Sequence, residues 1–445
     1  MPDHARSDSP AVQAQLDRLG ALSPGRDTLG LERIAALLDR LGNPQHRLPP
    51  VFHVAGTNGK GSTCAFLRAM LEAAGHSVHV YTSPHLVRFN ERIRLSGTLI
   101  SDADLAAYLA RVLDHADGLQ ASFFEVTTAA ALLAFAEHPA DACIVEVGLG
   151  GRLDATNVIA RPLVCGIASL GIDHKEFLLV PEDGTPADPL ARIAFEKAGI
   201  AKAGVPLVTL DYPEQATASI AAVAAQAGAQ VVARNRHWSS RQIGRGFVYS
   251  DTQGKLYGDP PALPGAHQLS NAALAIAMLR HQPLLSVSEA AINRGIATAR
   301  WPGRLQRLSA GPLSALLGPK ATVWLDGGHN PDAGAALAAA FPPDARLHLV
   351  FGMLRNKDAI GFMYPLASRI ASFHAVPIHG HEHHDPKDLC WSVQDSLGVP
   401  IANPVVSVAE ALARIADSDS SATVLICGSL YLAGEVLRAN DELPD

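Results

Sequence analysis

Residues 51–63 read Val-Phe-His-Val-Ala-Gly-Thr-Asn-Gly-Lys-Gly-Ser-Thr, an apolar run that passes directly into a glycine-rich turn. The apolar part, residues 51–54, predicts a buried strand, residues 62–74 predict a helix, and residues 78–81 predict the next strand. Strand, helix and strand in this order make one βαβ unit. A glycine-rich turn between a strand and a helix is typical of a phosphate-binding loop, because bare backbone N–H groups and the positive end of the helix meet there. The stretch therefore predicts an α/β fold built around a nucleotide-phosphate site.

The turn carries the functional groups that bound ATP requires. Glycines let backbone N–H groups approach phosphate oxygens, Lys60 can reach the β- and γ-phosphates, and Ser62 or Thr63 can approach Mg²⁺. The common form of this loop has Ser or Thr directly after the lysine, whereas Gly61 intervenes here. A plain glycine-rich turn with an exposed lysine is the alternative interpretation. We expect ATP to contact Gly56, Thr57, Asn58, Gly59, Lys60, Gly61 and Ser62.

The patterns that follow predict two domains. Residues 143–147 and 164–168 are apolar runs of the kind buried in parallel sheets, and residues 242–264 change to short aromatic and polar segments that predict a β-hairpin. A proline-glycine turn at residues 300–304 interrupts the helical periodicity, so we place the domain boundary between residues 298 and 299. Beyond it, four predicted strands alternate with alanine-rich helices, at residues 322–325, 347–351, 373–376 and 423–427. We expect an ATP-binding domain with its hairpin at residues 1–298 and a smaller Rossmann-like domain at residues 299–445.

Composition agrees with a large globular enzyme and excludes several classes of partner. A chain of 445 residues exceeds what one hydrophobic core usually supports, and 48% hydrophobic residues leave ample material for two. The formal net charge of −7 gives no general attraction to nucleic acid or to anionic membranes. Five widely spaced cysteines, mostly in apolar runs, are typical of reduced thiols, and no apolar run is long enough to cross a bilayer. We therefore expect a cytoplasmic protein without nucleic-acid or membrane partners.

Motifs along nearly the whole chain resemble one known family. They are residues 56–62, Ser83-Pro84-His85-Leu86, residues 89–93, residues 146–157, Asp173-His174, residues 196–200, Pro302-Gly303-Arg304, Asp326, His329-Asn330-Pro331 and Cys427-Gly428-Ser429. In this order they resemble the Mur-ligase superfamily and, within it, the folylpolyglutamate synthase and dihydrofolate synthase enzymes. The resemblance implies a P-loop ATP-binding domain of Mur-ligase type followed by a ligase domain.

The resemblance also implies a metal site. Its ligands would be Ser62, Ser83, Glu146 and His174, holding Mg²⁺, with two ions beside ATP. A carboxylate at the end of an apolar strand suits Mg²⁺, whereas imidazole suits softer ions, so His174 rests on the resemblance alone. A salt-bridged residue at a sheet end is the alternative for Glu146.

Lys197 resembles the family lysine that reacts with CO₂ to form a carbamate. With Lys60 and His174 it completes the expected catalytic set. The alternative is a solvent-facing helix lysine paired with Glu196 or Asp188. This chain departs from the family between His174 and Lys197, where residues 177–189 form an insertion rich in proline and aspartate.

Further positions resemble the family's substrate contacts. For ATP they are Asn271, Arg304 and Asp326, near the base, the phosphates and the ribose in turn. For the pterin and glutamate substrates they are Thr28, Leu29, Arg92, Phe124, Asp154, Ala155, His329 and Ser429. Arg88, Arg92 and Arg94 form a basic cluster that could bind an anionic substrate or could be a solvated face. The histidine-rich residues 379–385 suggest a metal site, but adjacent histidines rarely converge on one ion, and we favour a solvated loop.

Together these observations predict an ATP-dependent ligase. The resemblance implies that it joins L-glutamate to dihydropteroate, giving dihydrofolate, and to the γ-carboxylate of reduced folates. We expect an acyl-phosphate intermediate and a monomeric protein. A Mur ligase acting on a cell-wall nucleotide precursor is one alternative. A nucleotide-binding regulatory or transport subunit that only hydrolyses ATP is another.

Overall fold

The computed structural model describes residues 6–22, 29–244 and 246–445. They divide into two compact units. The first comprises Met1–Ala262 and Gln268–Arg300, and the second comprises Leu263–His267 and Trp301–Asp445. Thr28, one of the expected substrate contacts, lies outside the described residues.

An eight-stranded sheet forms the centre of the first unit, in the order β4-β3-β2-β5-β1-β6-β7-β8. Its strands are β1 Val51–Ala55, β2 Val78–Tyr81, β3 Ile93–Leu95, β4 Thr98–Leu99, β5 Ala142–Glu146, β6 Val164–Ile167, β7 Pro206–Thr209 and β8 Gln230–Ala233. The six strands from β2 to β8 in this order run parallel, and β3 and β4 add an antiparallel edge. Val54 of β1 pairs with Glu146 of β5, so the carboxyl ends of these neighbours meet at one edge of the sheet.

Helices cover both faces of this sheet. Those of the first unit are α1 Pro10–Leu22, α2 Glu32–Arg40, α3 Lys60–Ala73, α4 Asp102–His115, α5 Phe123–Glu137, α6 Lys175–Leu178, α7 Pro189–Ala198, α8 Glu214–Ala227, α9 His267–Arg280 and α10 Glu289–Thr298. Helices α1, α2, α4 and α5 share one apolar core with β2 and β5. Helices α7 and α8 share a second core with β6 and β7. Parallel strands buried on both faces explain why their sequences are almost continuously apolar.

A small antiparallel sheet follows β8, where the sequence predicts a hairpin. It has three strands, β9 Ser239–Ile243, β10 Gly246–Asp251 and β11 Gly254–Gly258, in the order β11-β10-β9. Trp238 stacks on Tyr249 with their ring centroids 5.7 Å apart, which gives this sheet an aromatic anchor.

The second unit is built on a six-stranded sheet of order β12-β13-β17-β14-β15-β16, parallel except for β12. Its strands are β12 Gln306–Arg307, β13 Thr322–Leu325, β14 Leu347–Phe351, β15 Ile370–Ala375, β16 Ala402–Pro404 and β17 Thr423–Cys427. Its helices are α11 Pro331–Ala340, α12 Ala359–Met363, α13 Pro386–Leu397, α14 Val408–Ser418 and α15 Leu430–Ala439. The structure thus confirms the expected α/β class. Within the described part of the chain, no helix combines the length and apolar character needed to cross a membrane.

Candidate active site

The turn after β1 has the backbone geometry of a phosphate-binding loop. Gly56 and Gly59 adopt φ values of 149° and 83°, which side-chain-bearing residues rarely reach. Gly59 also has no room for a Cβ, which would collide with Oδ1 of Asn271. Asn271 is itself buried in α9 and donates to Gln268 Oε1 at 3.0 Å, so it lies directly against the loop. Bare backbone is therefore required at this turn.

The loop is held by the segment that follows β6. Thr57 N donates to the Ser169 carbonyl at 2.8 Å, and the Thr57 hydroxyl donates to the Gly171 carbonyl at 2.8 Å. Lys60 Nζ folds back over the loop and donates to the Thr57 carbonyl at 3.3 Å. Thr63 donates its hydroxyl to the Gly59 carbonyl at 2.9 Å, which favours Ser62 over Thr63 as the hydroxyl for a metal.

The predicted metal ligands collect where neighbouring parallel strands end. Ser83 follows β2, Glu146 ends β5, the phosphate loop follows β1, and His174 comes after β6. Because β2, β5, β1 and β6 are adjacent in this order, all four positions lie at the same edge of the sheet. Glu146 is 5% exposed, and its charge and that of Lys60 both act on the thiol of Cys64 in α3.

The chemistry of this donor set fits Mg²⁺. Two hydroxyls and a carboxylate are hard oxygen donors, and the phosphates of ATP would add more. Within the described residues, no group of three or more His, Cys, Asp and Glu side chains is arranged to hold a metal ion. His174 adopts a left-handed conformation with φ 50°, and its side chain is 40% exposed beside Asp173. The suitability of this site for Mg²⁺ therefore depends on its oxygen donors, and the imidazole of His174 adds little to it.

A loop of residues 148–157 follows Glu146 and Val147 and is held by hydrogen bonds to Asp154. The buried carboxylate of Asp154 accepts the N–H of Leu149 at 2.8 Å and the N–H of Thr156 at 3.0 Å. It also accepts the hydroxyl of Thr156, whose oxygen in turn lies 2.9 Å from Nε2 of the buried His53. Burial raises the pKa of Asp154, while these donors oppose that rise. Asp154 therefore holds the loop in shape, and a direct contact with substrate stays a prediction.

Lys197 lies under this loop, at the end of α7. A Cβ on Gly151 would approach the Glu196 carbonyl oxygen to 2.8 Å, so the loop packs closely against the helix. Lys197 is 4% exposed. Burial and, next, the positive charge of Lys60 lower the pKa of Lys197 to about 7, against the opposing charges of Asp173, Asp154 and Glu196. A substantial fraction of this amine is therefore neutral near pH 7.

The alternative partners of Lys197 are engaged elsewhere. Asp188 caps α7 by accepting the N–H of Ala191 at 2.8 Å. Glu196 pairs with Arg152 at 3.0 Å and with Arg192 at 3.1 Å. The interpretation of Lys197 as a surface lysine paired with either acid is wrong in this structure.

The insertion between His174 and Lys197 is anchored to the same ion pairs. Glu182 accepts from Arg152 Nη2 at 2.6 Å and from Arg192 Nη2 at 3.0 Å. Leu178 packs against Gly150, and its carbonyl accepts from Arg192 Nε at 3.1 Å. The insertion therefore braces the loop and α7 from the outside. Sequence reasoning missed this role because nothing in the sequence links these charges to one another.

Two of the expected pterin contacts, Phe124 and Ala155, lie at the loop of residues 148–157 that follows Glu146. The Phe124 ring covers Gly148, where a Cβ would collide with it, and Ala155 is buried next to the capping residue Asp154. Arg33 pairs with the buried Glu125 at 3.0 Å, which ties the segment after Leu29 to the start of α5. Leu29, Phe124 and Ala155 therefore belong to connected elements. Sequence reasoning did not predict the Arg33–Glu125 pair, which joins residues 92 positions apart in the chain.

The structure separates the three arginines of the predicted basic cluster. Arg92 is 2% exposed, lies over the rings of Phe89 and Phe123, and donates from Nε to His85 Nδ1 at 2.9 Å. Arg94 donates to the Gly97 carbonyl at 2.8 Å, while Arg88 is exposed. The three do not form one exposed basic patch, and only the buried Arg92 lies among the rings next to α5.

In the second unit, Arg304 lies in a tight turn that Asp326 holds. The Asp326 carboxylate accepts the N–H of Leu305 at 2.8 Å and the N–H of Gly328 at 2.6 Å. Asp326 follows β13, and its charge and that of Arg304 both act on the ring of His267, whose pKa burial lowers. The structure therefore brings Arg304 and Asp326 together.

His329 and Ser429 also lie at the carboxyl edge of the second sheet. His329 follows β13 and lies 3.1 Å from the Gly327 carbonyl through Nδ1, and Ser429 follows the adjacent β17 and caps α15. By contrast, the histidine-rich run disperses: His379 pairs with Glu435, His381 stacks on Tyr431, and His384 bonds to the Lys357 carbonyl. These imidazoles point to separate partners.

Comparison with known proteins identifies the family. The model of the Mur ligase, glutamate ligase domain matches residues 303–430. The dihydrofolate synthase/folylpolyglutamate synthase of Escherichia coli (strain K12) is 36% identical over 418 residues, which cover 93% of this chain and 92% of the relative. The chain belongs to the dihydrofolate synthase/folylpolyglutamate synthase family.

Other members of this family agree in sequence and in fold. The protein of the same name from Bacillus subtilis (strain 168) is 34% identical and covers 92% of this chain and 94% of its own length. Among solved structures, Escherichia coli FolC in complex with DHPP and ADP superposes with a TM-score of 0.84 at 35% identity, covering 98% of each chain. A bifunctional folylpolyglutamate synthase/dihydrofolate synthase with Mn, AMPPNP and L-glutamate bound gives a TM-score of 0.82 at 33% identity, covering 97% of this chain and 98% of that one.

Proposed function

We propose that this member of the family is an ATP-dependent acid–amino-acid ligase that adds L-glutamate to dihydropteroate, forming dihydrofolate, and to the γ-carboxylate of folates. The observation that carries the proposal is the single sheet edge that joins the phosphate loop, Ser83 and Glu146 to the loop above Lys197. A phosphate site alone would also suit an ATP-hydrolysing subunit. Family members with a nucleotide and L-glutamate bound support ligation instead.

The reaction needs an activated carboxylate because hydroxide is a poor leaving group. A carboxylate oxygen of the acceptor attacks the γ-phosphorus of ATP, ADP leaves, and an acyl phosphate forms. The neutral amine of glutamate then attacks the acyl carbon, phosphate leaves with the original carboxylate oxygen, and the nitrogen loses one proton to solvent to give the amide. The positive charges assigned to ATP binding, those of Lys60 and of Arg304, would offset the charge of the phosphates, which lowers the barrier to phosphoryl transfer.

A divalent metal with ATP is supported by family members that bind AMPPNP and Mn. In this chain we assign Ser62, Ser83, Glu146 and His174 as its ligands, with two Mg²⁺ ions beside ATP. When bound, the metal would supply charge neutralisation at the phosphates. The protein's own contribution would be the neighbouring strand ends, which bring Ser83, Glu146 and the phosphate loop to one edge of the sheet.

We assign Lys197 as a lysine that becomes carbamylated. Only a neutral amine attacks CO₂, and a pKa of about 7 leaves roughly half of the amine neutral at pH 7, against about one in a thousand or less for an ordinary lysine. The nitrogen lone pair forms a bond to the carbon of CO₂, one N–H proton leaves to solvent, and an anionic carbamate results. Lys197 would then contribute a negative charge next to Lys60 and the metal donors.

The other residues are assigned to the nucleoside part of ATP and to the pterin and glutamate substrates. Asn271 and Asp326 would contact the nucleoside part of ATP. The pterin and glutamate would lie among the assigned substrate contacts, which are Thr28, Leu29, Arg92, Phe124, Asp154, Ala155, His329 and Ser429. In this proposal residues 1–298 act as the ATPase domain and residues 299–445 as the ligase domain of a cytoplasmic monomer.

A coupled assay of ADP release tests the proposal. The purified chain is supplied with ATP, Mg²⁺ and glutamate, and with dihydropteroate, tetrahydrofolate or no acceptor. We expect ADP release with either acceptor and little without one. Equal release in all three reactions would support the hydrolysing subunit. If none of the three releases ADP, a fourth reaction with a cell-wall nucleotide precursor as the acceptor tests the Mur-ligase alternative, which ADP release in that reaction alone would support.

A further inference from the structure

The turn that carries Arg304 has an unusual backbone. Gly303 adopts φ 67° and Leu305 adopts φ 42°, so the residues on both sides of Arg304 lie in the left-handed region. For leucine this conformation is unfavourable, and it persists only where surrounding contacts over-determine it. The direction of the Arg304 side chain therefore depends on whatever holds this turn.

Three hydrogen bonds hold the turn directly. Leu305 N donates to Asp326 Oδ2 at 2.8 Å, and the Gly303 carbonyl accepts from Gly327 N at 2.8 Å. The third bond runs from Gly303 N to Oε1 of Gln306 at 2.9 Å. The first two come from the loop after β13, and the third comes from a side chain of β12.

Gln306 is oriented by a carboxylate far away in sequence. Its Nε2 donates to Glu442 Oε1 at 2.7 Å. Because a backbone N–H requires the amide oxygen and a carboxylate requires the amide N–H, only one of the two amide orientations satisfies both partners. Glu442 thereby selects the orientation in which Gln306 can accept from Gly303.

Glu442 is in turn firmly placed. Its carboxylate also accepts from Ser309 N and Ser309 Oγ, both at 3.1 Å, and from Asn440 Nδ2 at 3.2 Å. Asn440 is 2% exposed and donates as well to the Ser309 carbonyl at 3.2 Å. Glu442 is therefore a fixed acceptor beside β12.

We propose that Glu442 is a positioning residue for Arg304, acting through the side-chain amide of Gln306 on the strained turn of residues 303–305. The inference rests on the role in ATP binding that we propose for Arg304. Glu442 contacts neither ATP nor the reacting atoms. By fixing the amide orientation of Gln306, it holds the turn that carries Arg304 in one backbone conformation.

The alternative is that Glu442 has only a structural role and holds the residues that follow α15. In that case the Glu442→Ala variant would behave differently. It would lower the melting temperature and affect all substrates alike. It would also act independently of Arg304, so the two effects would multiply in a double variant. A positioning role acts only through Arg304, and its effect disappears once Arg304 is removed.

The test is a double-mutant cycle in the full chain, with kcat/KM for ATP as the readout and dihydropteroate and glutamate saturating. We expect Arg304→Ala to lower kcat/KM about a hundredfold and Glu442→Ala to lower it about tenfold, the scale of a misplaced charged contact. The KM for glutamate should not change in Glu442→Ala. The double variant should have the same kcat/KM as Arg304→Ala.

A second variant, Gln306→Met, should reproduce the effect of Glu442→Ala while leaving the bonds of Glu442 to Ser309 and Asn440 intact. It takes the place of Glu442→Ala in the cycle if Glu442→Ala does not fold.

The control is Glu435→Gln, which removes a carboxylate of α15 that bonds to His379, and it should keep the wild-type kcat/KM. Wild-type kcat/KM in Arg304→Ala would overturn the proposed role of Arg304, and the inference with it. Impaired Arg304→Ala beside unimpaired Glu442→Ala and Gln306→Met would overturn the inference alone. Multiplying losses in the double variant would also overturn it.

Discussion

Replacement of Lys197 by methionine should stabilise the protein, and the gain should depend on pH. Lys197 is buried, and its pKa falls from 10.5 in an exposed lysine to about 7 in the folded chain. Between these values the unfolded chain holds one proton more than the folded chain. The free energy of unfolding of the wild type therefore rises with pH in this window, by about 1.4 kcal/mol per pH unit from this group. Below pH 7 the amine is charged in both states, and the cost of burying it is fully present.

Methionine has a similar shape and no titration, so Lys197→Met lacks this dependence. The free energy of unfolding of Lys197→Met should exceed that of the wild type by the largest amount at or below pH 7. This difference should shrink by about 2 to 3 kcal/mol between pH 7.5 and 9.5. Contributions from other titrating groups cancel when the two chains are compared at the same pH. Buffers must be free of CO₂, because a carbamate would withdraw the amine from the equilibrium.

The measurement is urea unfolding at each pH without metal or nucleotide. After equilibration in urea at each pH, the chain is labelled with a short pulse of deuterium at one fixed pH. Mass spectrometry of the peptides from α7 then gives the unfolded fraction of the first unit by itself. Lys255→Met, at an exposed lysine of β11, is the matched control and should show no comparable pH-dependent difference from the wild type. If the difference between Lys197→Met and the wild type is constant from pH 7.5 to 9.5, the buried amine does not have a lowered pKa and our account of its reactivity is wrong.

Three further predictions concern the same sheet edge. Lys60→Ala should abolish ligation while the melting profile stays normal, because the lysine lies over the phosphate loop; ADP release at the wild-type rate would refute this. Glu146→Gln and Ser83→Ala should each raise the Mg²⁺ concentration needed for half-maximal activity, since each loses an oxygen donor, and unchanged Mg²⁺ titrations in both would exclude them as ligands. Lys197→Ala should lose activity and regain part of it with formate or acetate, which replace the missing carboxylate of a carbamate. Rescue of Lys197→Ala by a primary amine instead would identify an ordinary cation.

Local sequence patterns predict most of the central strands. Residues 78–81, 322–325, 347–351 and 423–427 are strands with the expected bounds, because continuous apolar runs between polar turns leave little ambiguity. The strands missed are short or lie at edges. Pro206–Thr209 begins with proline, and Ile93–Leu95 has only three residues, so neither gives a periodic signal.

The candidate site is less accessible to sequence reasoning because it depends on strand order. β5 lies between β2 and β1 in the sheet. This strand order brings Glu146 next to both Ser83 and the phosphate loop. The charges around Lys197 pose a further difficulty. The insertion supplies Glu182 to two arginines from different elements, a pairing that only the folded chain reveals.

Isotope transfer from the acceptor carboxylate to phosphate tests the central claim most directly. Dihydropteroate labelled with ¹⁸O in its carboxylate is incubated with the wild-type chain, ATP, Mg²⁺ and glutamate, and the phosphate is analysed by mass spectrometry. An acyl phosphate requires that each phosphate released with dihydrofolate carries one ¹⁸O atom from the carboxylate. Unlabelled phosphate formed alongside dihydrofolate would contradict activation as an acyl phosphate, and unlabelled phosphate without dihydrofolate would show that the chain only hydrolyses ATP.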